Sequence, residues 1–79
     1  MELRVISPQK SQTHLIAWVE LETPTGNFVI QQGHAPMIVT LSPHQPITFR
    51  LKNGKQETIT PRTGIAQITR KDVTLLISE

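Results

Sequence analysis

Apolar side chains recur at every second position in short runs rich in Val, Ile and Thr, and prolines and glycines fall between the runs. A period of two places successive side chains on opposite faces of an extended chain, so the pattern predicts strands separated by turns. Eight runs qualify: Leu3 to Ile6, His14 to Leu21, Asn27 to Ile30, Met37 to Leu41, Ile47 to Leu51, Gln56 to Thr60, Gly64 to Thr69 and Val73 to Ile77. No stretch carries the 3.6-residue spacing of an amphipathic helix. In the longest run Leu15, Ala17, Val19 and Leu21 share one parity while His14, Ile16, Trp18 and Glu20 share the other, which reads as a strand with two partly apolar faces. Eight short strands at close spacing predict an all-β fold, a sandwich or a barrel.

The turns carry their own signals. Asn53-Gly54 predicts a tight hairpin flanked by Leu51 and Gln56, with a type I′ turn, because both central residues of that turn need positive φ and Asn and Gly tolerate it best. Pro8, Pro24, Pro36, Pro43, Pro46 and Pro61 each lack a ladder donor and are expected at strand ends, edges or turns. There is no internal repeat, low-complexity segment or linker.

A chain of 79 residues has room for one domain, here residues 1–79. A domain of this size buries only about 60 to 65% of its extended-chain surface, and without cysteine its stability rests on one small core. The lack of cysteine also removes thiolate metal sites and thiol redox chemistry, and fits a reducing compartment. Met1 to Val5 lacks the apolar core of a signal peptide, and no apolar run approaches the ~20 residues that span a bilayer. The expectation is a soluble, cytoplasmic domain without direct membrane insertion.

The formal net charge is +2, but the eight basic residues are scattered and form no tract. Only Trp18, Phe28 and Phe49 are aromatic, and none is interleaved with basic residues as stacking platforms require, so no nucleic-acid partner is expected. Catalysis finds no signature either. Asp72 is the one aspartate, placed at a turn before the last strand, and no local pattern joins it or any glutamate to a histidine in a nucleophile–base arrangement. His14, His34 and His44 are spaced by 20 and then 10 residues, which matches no local zinc-ligand pattern; they read as one strand histidine and two loop histidines. Gly26, Gly33, Gly54 and Gly64 are isolated and precede no helix, so no phosphate-cradling loop is formed. No metal or cofactor is expected, and the chain is read as non-enzymatic.

The segment from Gly26 to Met37, Gly-Asn-Phe-Val-Ile-Gln-Gln-Gly-His-Ala-Pro-Met, resembles the stretch usually written G-E-x-G-I-x-P-G-H-A-P-L in the epsilon subunit of rotary F-type ATP synthases. Its core is Gly33, His34, Ala35 and Pro36. Leu3 to Pro8 is similar to the family's opening strand, and Val73 to Ile77 to its closing one, so the resemblance covers nearly the whole chain. The chain departs from the pattern at Asn27, where the family carries an acid, at Val29 for the second glycine, and at Gln32 for the proline before the motif. Pro61 to Gly64 keeps one glycine of the usual S-G-G. Independently of the family, Gly33 permits positive φ or close backbone approach, and Pro36 biases Ala35 to an extended conformation, so the motif also reads as a shaped turn.

The resemblance implies the N-terminal domain of that subunit: a small β-sandwich of about eight to ten short strands in two sheets, at the foot of the central stalk. It implies a non-catalytic rotor part that couples the gamma subunit to the membrane c-ring in proton- or sodium-driven ATP synthesis, on the cytoplasmic side of the energy-transducing membrane. Carried over, Ser7, His34 and Val39 face gamma, and Gly26 and Asn27 face the rotor ring. Met37, Phe28 and Ile38 are candidate apolar contributors, or ordinary core. The alternative is a sandwich module serving another assembly. Family members continue into a C-terminal helical hairpin that in some bacteria binds ATP, whereas this sequence ends at Glu79. No nucleotide binding is therefore expected, and calorimetric titration with ATP should give no saturable heat.

Overall fold

The computed structural model describes residues 1–79. Its elements are β1 (Glu2–Ile6), β2 (Ser11–Thr23), β3 (Gly26–Ile30), β4 (Met37–Thr40), β5 (Ile47–Leu51), β6 (Gln56–Ile59), β7 (Thr63–Ile68) and β8 (Asp72–Ser78). All eight expected strands form, and seven have ends within one residue of the sequence reading. No helix forms, so none is long and apolar enough to cross a membrane. All six prolines lie outside the strands.

The strands make two sheets that share β2. The first runs β4-β7-β8-β1-β2, with β1 and β8 parallel and the other pairs antiparallel. The second places β3 on one side of β2, and β5 and then β6 on the other. β2 is the element whose extent the sequence understates: 13 residues instead of the eight from His14 to Leu21. Its first half pairs β1, and its second half pairs β3 and β5.

The handover occurs at a β-bulge. Ile16 lies opposite Leu51 and Trp18 opposite Arg50, so Ala17 is an extra residue in the ladder. One inserted residue reverses which face each later side chain occupies. Ile16 is buried on the even parity, whereas Val19, Leu21 and Thr23 are buried on the odd parity. The two partly apolar faces of the sequence pattern are thus one core-facing set that changes parity at Ala17.

Between the sheets Leu3, Ile16, Val19, Leu21, Ile30, Ile47, Phe49, Ile68, Val73 and Leu75 are essentially sealed from solvent. Phe49 is the largest of them, and the His14 ring packs beside it with centroids 5.2 Å apart. Gly64 is required by space and not by backbone conformation. A Cβ there would sit 3.0 Å from both Ile77 Cγ2 and Leu41 Cδ1.

The hairpin at Asn53-Gly54 forms, but its turn differs from the expected type I′. Gly54 has φ 94°, and His44 is the one non-glycine residue with positive φ, so Asn53 is not left-handed. Gly54 N–H donates to Leu51 O at 2.9 Å, and Leu51 N–H donates to Lys55 O at 2.7 Å. These bonds define a three-residue loop with a type I turn and a left-handed glycine at a bulge, in which only one residue needs positive φ. Asn53 Oδ1 instead accepts from Lys55 N–H at 2.9 Å. Gly54→Ala is therefore expected to cost about 1 to 2 kcal/mol in urea denaturation, and Asn53→Ala only about 0.5 kcal/mol. Equal costs at the two positions would point back to a type I′ turn.

Candidate docking surfaces

On the outer face of the first sheet, alternation should leave polar side chains toward water. Across one row of this face the register instead aligns Thr40, Ile65, Leu76 and Ile6 on β4, β7, β8 and β1. The next row aligns Ile38, Gln67, Thr74 and Arg4. Ile38 is 70% exposed, Ile65 45% and Leu76 49%. Ile6, Pro8, Ile65 and Leu76 also line a shallow depression of about 580 Å³ at the end of the sheet where β1 finishes. Contiguous exposed apolar side chains on a sheet face mark an interaction surface.

Polar side chains rim this apolar band. Arg4 Nε donates to Glu2 Oε1 at 3.0 Å and Arg4 Nη2 to Asp72 Oδ2 at 3.3 Å, lower on the same face. Asp72 Oδ1 also accepts from Thr69 Oγ1 at 2.8 Å, so the single aspartate ties the β7–β8 turn to β1.

The residues carried over as gamma-facing do not form one spot. Ser7 borders the depression. It is fixed by the β1–β2 turn, in which its N–H donates to Lys10 O at 2.9 Å and its hydroxyl accepts from Lys10 N–H at 3.3 Å. His34 lies at the opposite end of the sheet, beyond the Met37–Ile68 pair, which is itself ~13 Å along the strands and ~14 Å across them from Ser7 by ordinary strand spacing. Val39 turns inward: it pairs with Ala66 and packs against the core, while Ile38 and Thr40 on either side point out. Of the three apolar candidates, Phe28 and Met37 pack against the core and Ile38 is exposed. Ile6, Ile65 and Leu76 were missed because their runs look like core in one dimension. The available signal was the unbroken apolar triplet Leu75-Leu76-Ile77, which strict alternation cannot bury on one face.

The Gly33–Pro36 motif is a turn clamped onto the β7–β8 connection. Gly33, at φ 89°, donates its N–H to Arg70 O at 2.8 Å, and Arg70 Nη1 donates to Gly33 O at 3.4 Å. His34 Nδ1 lies 2.8 Å from Ala35 O and must donate to it, leaving Nε2 free. The three histidines occupy β2 and two separate loops, and no group of three or more His, Asp or Glu side chains is placed to hold a metal ion.

Gly26 and Asn27 open β3 on the second sheet, and Gly26 takes φ 131°. The buried Thr23 hydroxyl donates to Gly26 O at 2.8 Å and accepts from Thr25 N–H at 3.3 Å, closing the turn. A shallow hollow lies between this turn and Val39 and Thr40 at the edge of the first sheet. Asn27 Nδ2 donates to Glu20 Oε2 at 3.0 Å and to Glu22 Oε1 at 2.7 Å, so one amide gathers two β2 carboxylates.

What the fold defines is a small β-sandwich domain with exposed apolar side chains on one sheet face and two carboxylates gathered by Asn27 beside the β2–β3 turn. The chain belongs to the family of the ATP synthase Delta/Epsilon chain beta-sandwich domain, which it matches over residues 1–79. It is 33% identical over 79 residues to the ATP synthase epsilon chain of Nostoc punctiforme (strain ATCC 29133 / PCC 73102), covering 99% of this chain and 58% of that one. The chain thus spans a little over half of that relative. The same fold occurs in the central stalk/c-ring structure of Tetrahymena thermophila mitochondrial ATP synthase, with TM-score 0.84, 17% identity, and coverage of 100% of this chain and 63% of that one. It occurs again in Euglena gracilis mitochondrial ATP synthase, with TM-score 0.86, 17% identity, and coverage of 98% and 49%.

Asn27→Asp would place a third carboxylate against Glu20 and Glu22, and like charges facing across strands cost about 0.5 kcal/mol. Its folded-state pKa would rise, so the deficit exists at neutral pH and disappears as pH falls through that pKa. Thermal melts should show a Tm lower by about 2 to 4 °C at pH 7, with the gap closing in acid and in high salt.

Proposed function

We propose that this chain is a central-stalk domain of an F-type ATP synthase, a non-catalytic part that docks on the gamma subunit and couples it to the membrane rotor ring. In this reading it sits peripherally on the cytoplasmic side of the energy-transducing membrane and turns with the rotor during proton- or sodium-driven ATP synthesis. Membership of the Delta/Epsilon family supports the assignment to that complex. The observation that carries the docking role is the exposed row of Ile65 and Leu76 beside Ile6, with Ile38 adjoining, on the first sheet.

Torque transmission requires a stiff body held by an interface that does not slip. Stable interfaces bury about 1,200 to 2,000 Å² in total. A flat, strand-paired face bearing large apolar side chains meets both demands, because its backbone is fixed by ladder bonds while its outer side chains remain available. We assign this face to gamma, with Ser7 at its rim and His34 at its far end. Val39 supports the face from below and does not itself touch the partner.

The rotor ring takes the tip at Gly26 and Asn27. Asn27 lacks the acid found there in the family, but its amide holds Glu20 and Glu22 together. Those two carboxylates supply the negative surface of the tip, and their partner is a cationic loop of the ring.

Co-purification with the gamma subunit of the same ATP synthase tests the assignment. Wild type should form a complex, and Ile38→Asp and Leu76→Asp should each weaken it at least tenfold, as loss of central interface residues does, while retaining the folded circular dichroism spectrum. Val39→Asp should lose the fold itself. The assignment fails if wild type does not bind folded gamma, or if both outward-facing aspartates bind as wild type does.

A further inference from the structure

The loop that carries His34 rests on one peptide group of the β7–β8 turn. This turn follows directly on the Ile68–Val73 pair, and Thr69 N–H donates to Asp72 O at 2.9 Å to close it. Inside the turn the half-buried Thr69 hydroxyl is the hub. It donates to Asp72 Oδ1 at 2.8 Å, and accepts from Asp72 N–H at 3.0 Å and from Lys71 N–H at 3.1 Å.

The bond from Lys71 N–H reaches beyond the turn. Lys71 N–H and Arg70 C=O belong to one planar trans peptide, in which the two groups point in opposite directions. Thr69 Oγ1 therefore holds one end of this peptide, while Gly33 N–H, donating to Arg70 O at 2.8 Å, takes the other. Arg70 Nη1 adds a longer contact of 3.4 Å to Gly33 O. On the loop side His34 N–H donates to Gln31 O at 3.1 Å, and the imidazole is held by Ala35 O at 2.8 Å. With the ring fixed to its own loop, its direction relative to the sheet follows from how Gly33 is seated on Arg70.

We propose that Thr69 is a positioning residue for the Gly33–Pro36 motif. Its hydroxyl orients the Arg70–Lys71 peptide, the peptide seats Gly33, and Gly33 sets the angle at which His34 meets gamma. The contact with gamma rests on the stalk reading, whereas the linkage from Thr69 to Gly33 is internal to the domain. Valine at position 69 keeps the branched shape and removes the hydroxyl, so Lys71 N–H and Asp72 N–H lose their acceptor. Serine keeps the hydroxyl and preserves the linkage.

The test follows hydrogen exchange of the Gly33 amide by NMR on the ¹⁵N-labelled chain, together with binding to the gamma subunit of its own ATP synthase. Thr69→Val should speed Gly33 exchange about fivefold, as loss of one hydrogen bond of ordinary strength does. It should weaken gamma binding by a similar factor with an unchanged circular dichroism spectrum. Thr69→Ala, which also lacks the hydroxyl, should match it, and Thr69→Ser should behave as wild type in both measurements. In a His34→Ala background Thr69→Val should cause no further loss of binding, because the two residues then act as one unit. If Gly33 stays as protected in both variants as in wild type, the linkage is wrong. If protection falls while binding holds, or if Thr69→Val costs as much without His34 as with it, Thr69 does not act through His34. The stalk reading stands in each of those cases. If wild type does not bind gamma, the stalk reading falls and takes the role of Thr69 with it.

Discussion

The fold depends on one inserted residue. β2 is the strand that joins the two sheets, and it can line the core along its whole length only because Ala17 changes its parity. In a continuous ladder, the even parity that buries Ile16 would also turn Trp18, Glu20 and Glu22 inward and expose Val19 and Leu21. Two carboxylates would then face a core with no cation to receive them, at a cost far beyond the stability of so small a domain. The bulge therefore does three things together: it bends the strand between sheets, completes the apolar interior, and puts Glu20 and Glu22 on the surface where Asn27 meets them.

Much of this architecture was legible in the chain because strand periodicity is local. Seven strands are bounded by prolines, glycines or polar turns, and their ends follow from those residues. What was not legible depends on partners distant in sequence. The bulge at Ala17 is defined by Leu51 and Arg50 on β5, and no pattern within β2 specifies it. The turn at Asn53-Gly54 followed from its dipeptide, but its type followed from the Leu51–Lys55 pairing around it. The exposed apolar face of the first sheet was the least readable part. Ile6 and Leu76 are neighbours through parallel pairing of the first and last strands, and Ile65 joins them through a separate antiparallel pair. Val39 shows the converse: its position in the chain was informative, but its orientation was decided by the register with Ala66.

Asn27 illustrates how charge can belong to a surface instead of a position. Compared letter by letter, an asparagine in place of an acid looks like a loss. In the fold its two amide hydrogens face two acceptors from the adjacent strand, and the amide offsets their mutual repulsion without adding charge of its own. The tip keeps its sign, carried by β2, and the side chain at position 27 organises it.

The parallel pairing of β1 with β8 bears on how the domain carries load. The five residues of β1, Glu2 to Ile6, lie beside Asp72 to Leu76 in one continuous register near the middle of the first sheet. A pull that draws the end of β8 away from the start of β1 acts along the strands, so the bonds between them resist in shear and must yield together. Peeling an edge hairpin such as β5–β6 would break its bonds one after another, at lower force. The first and last strands thus form a longitudinal tie within the domain, while its compliant parts lie at the edges.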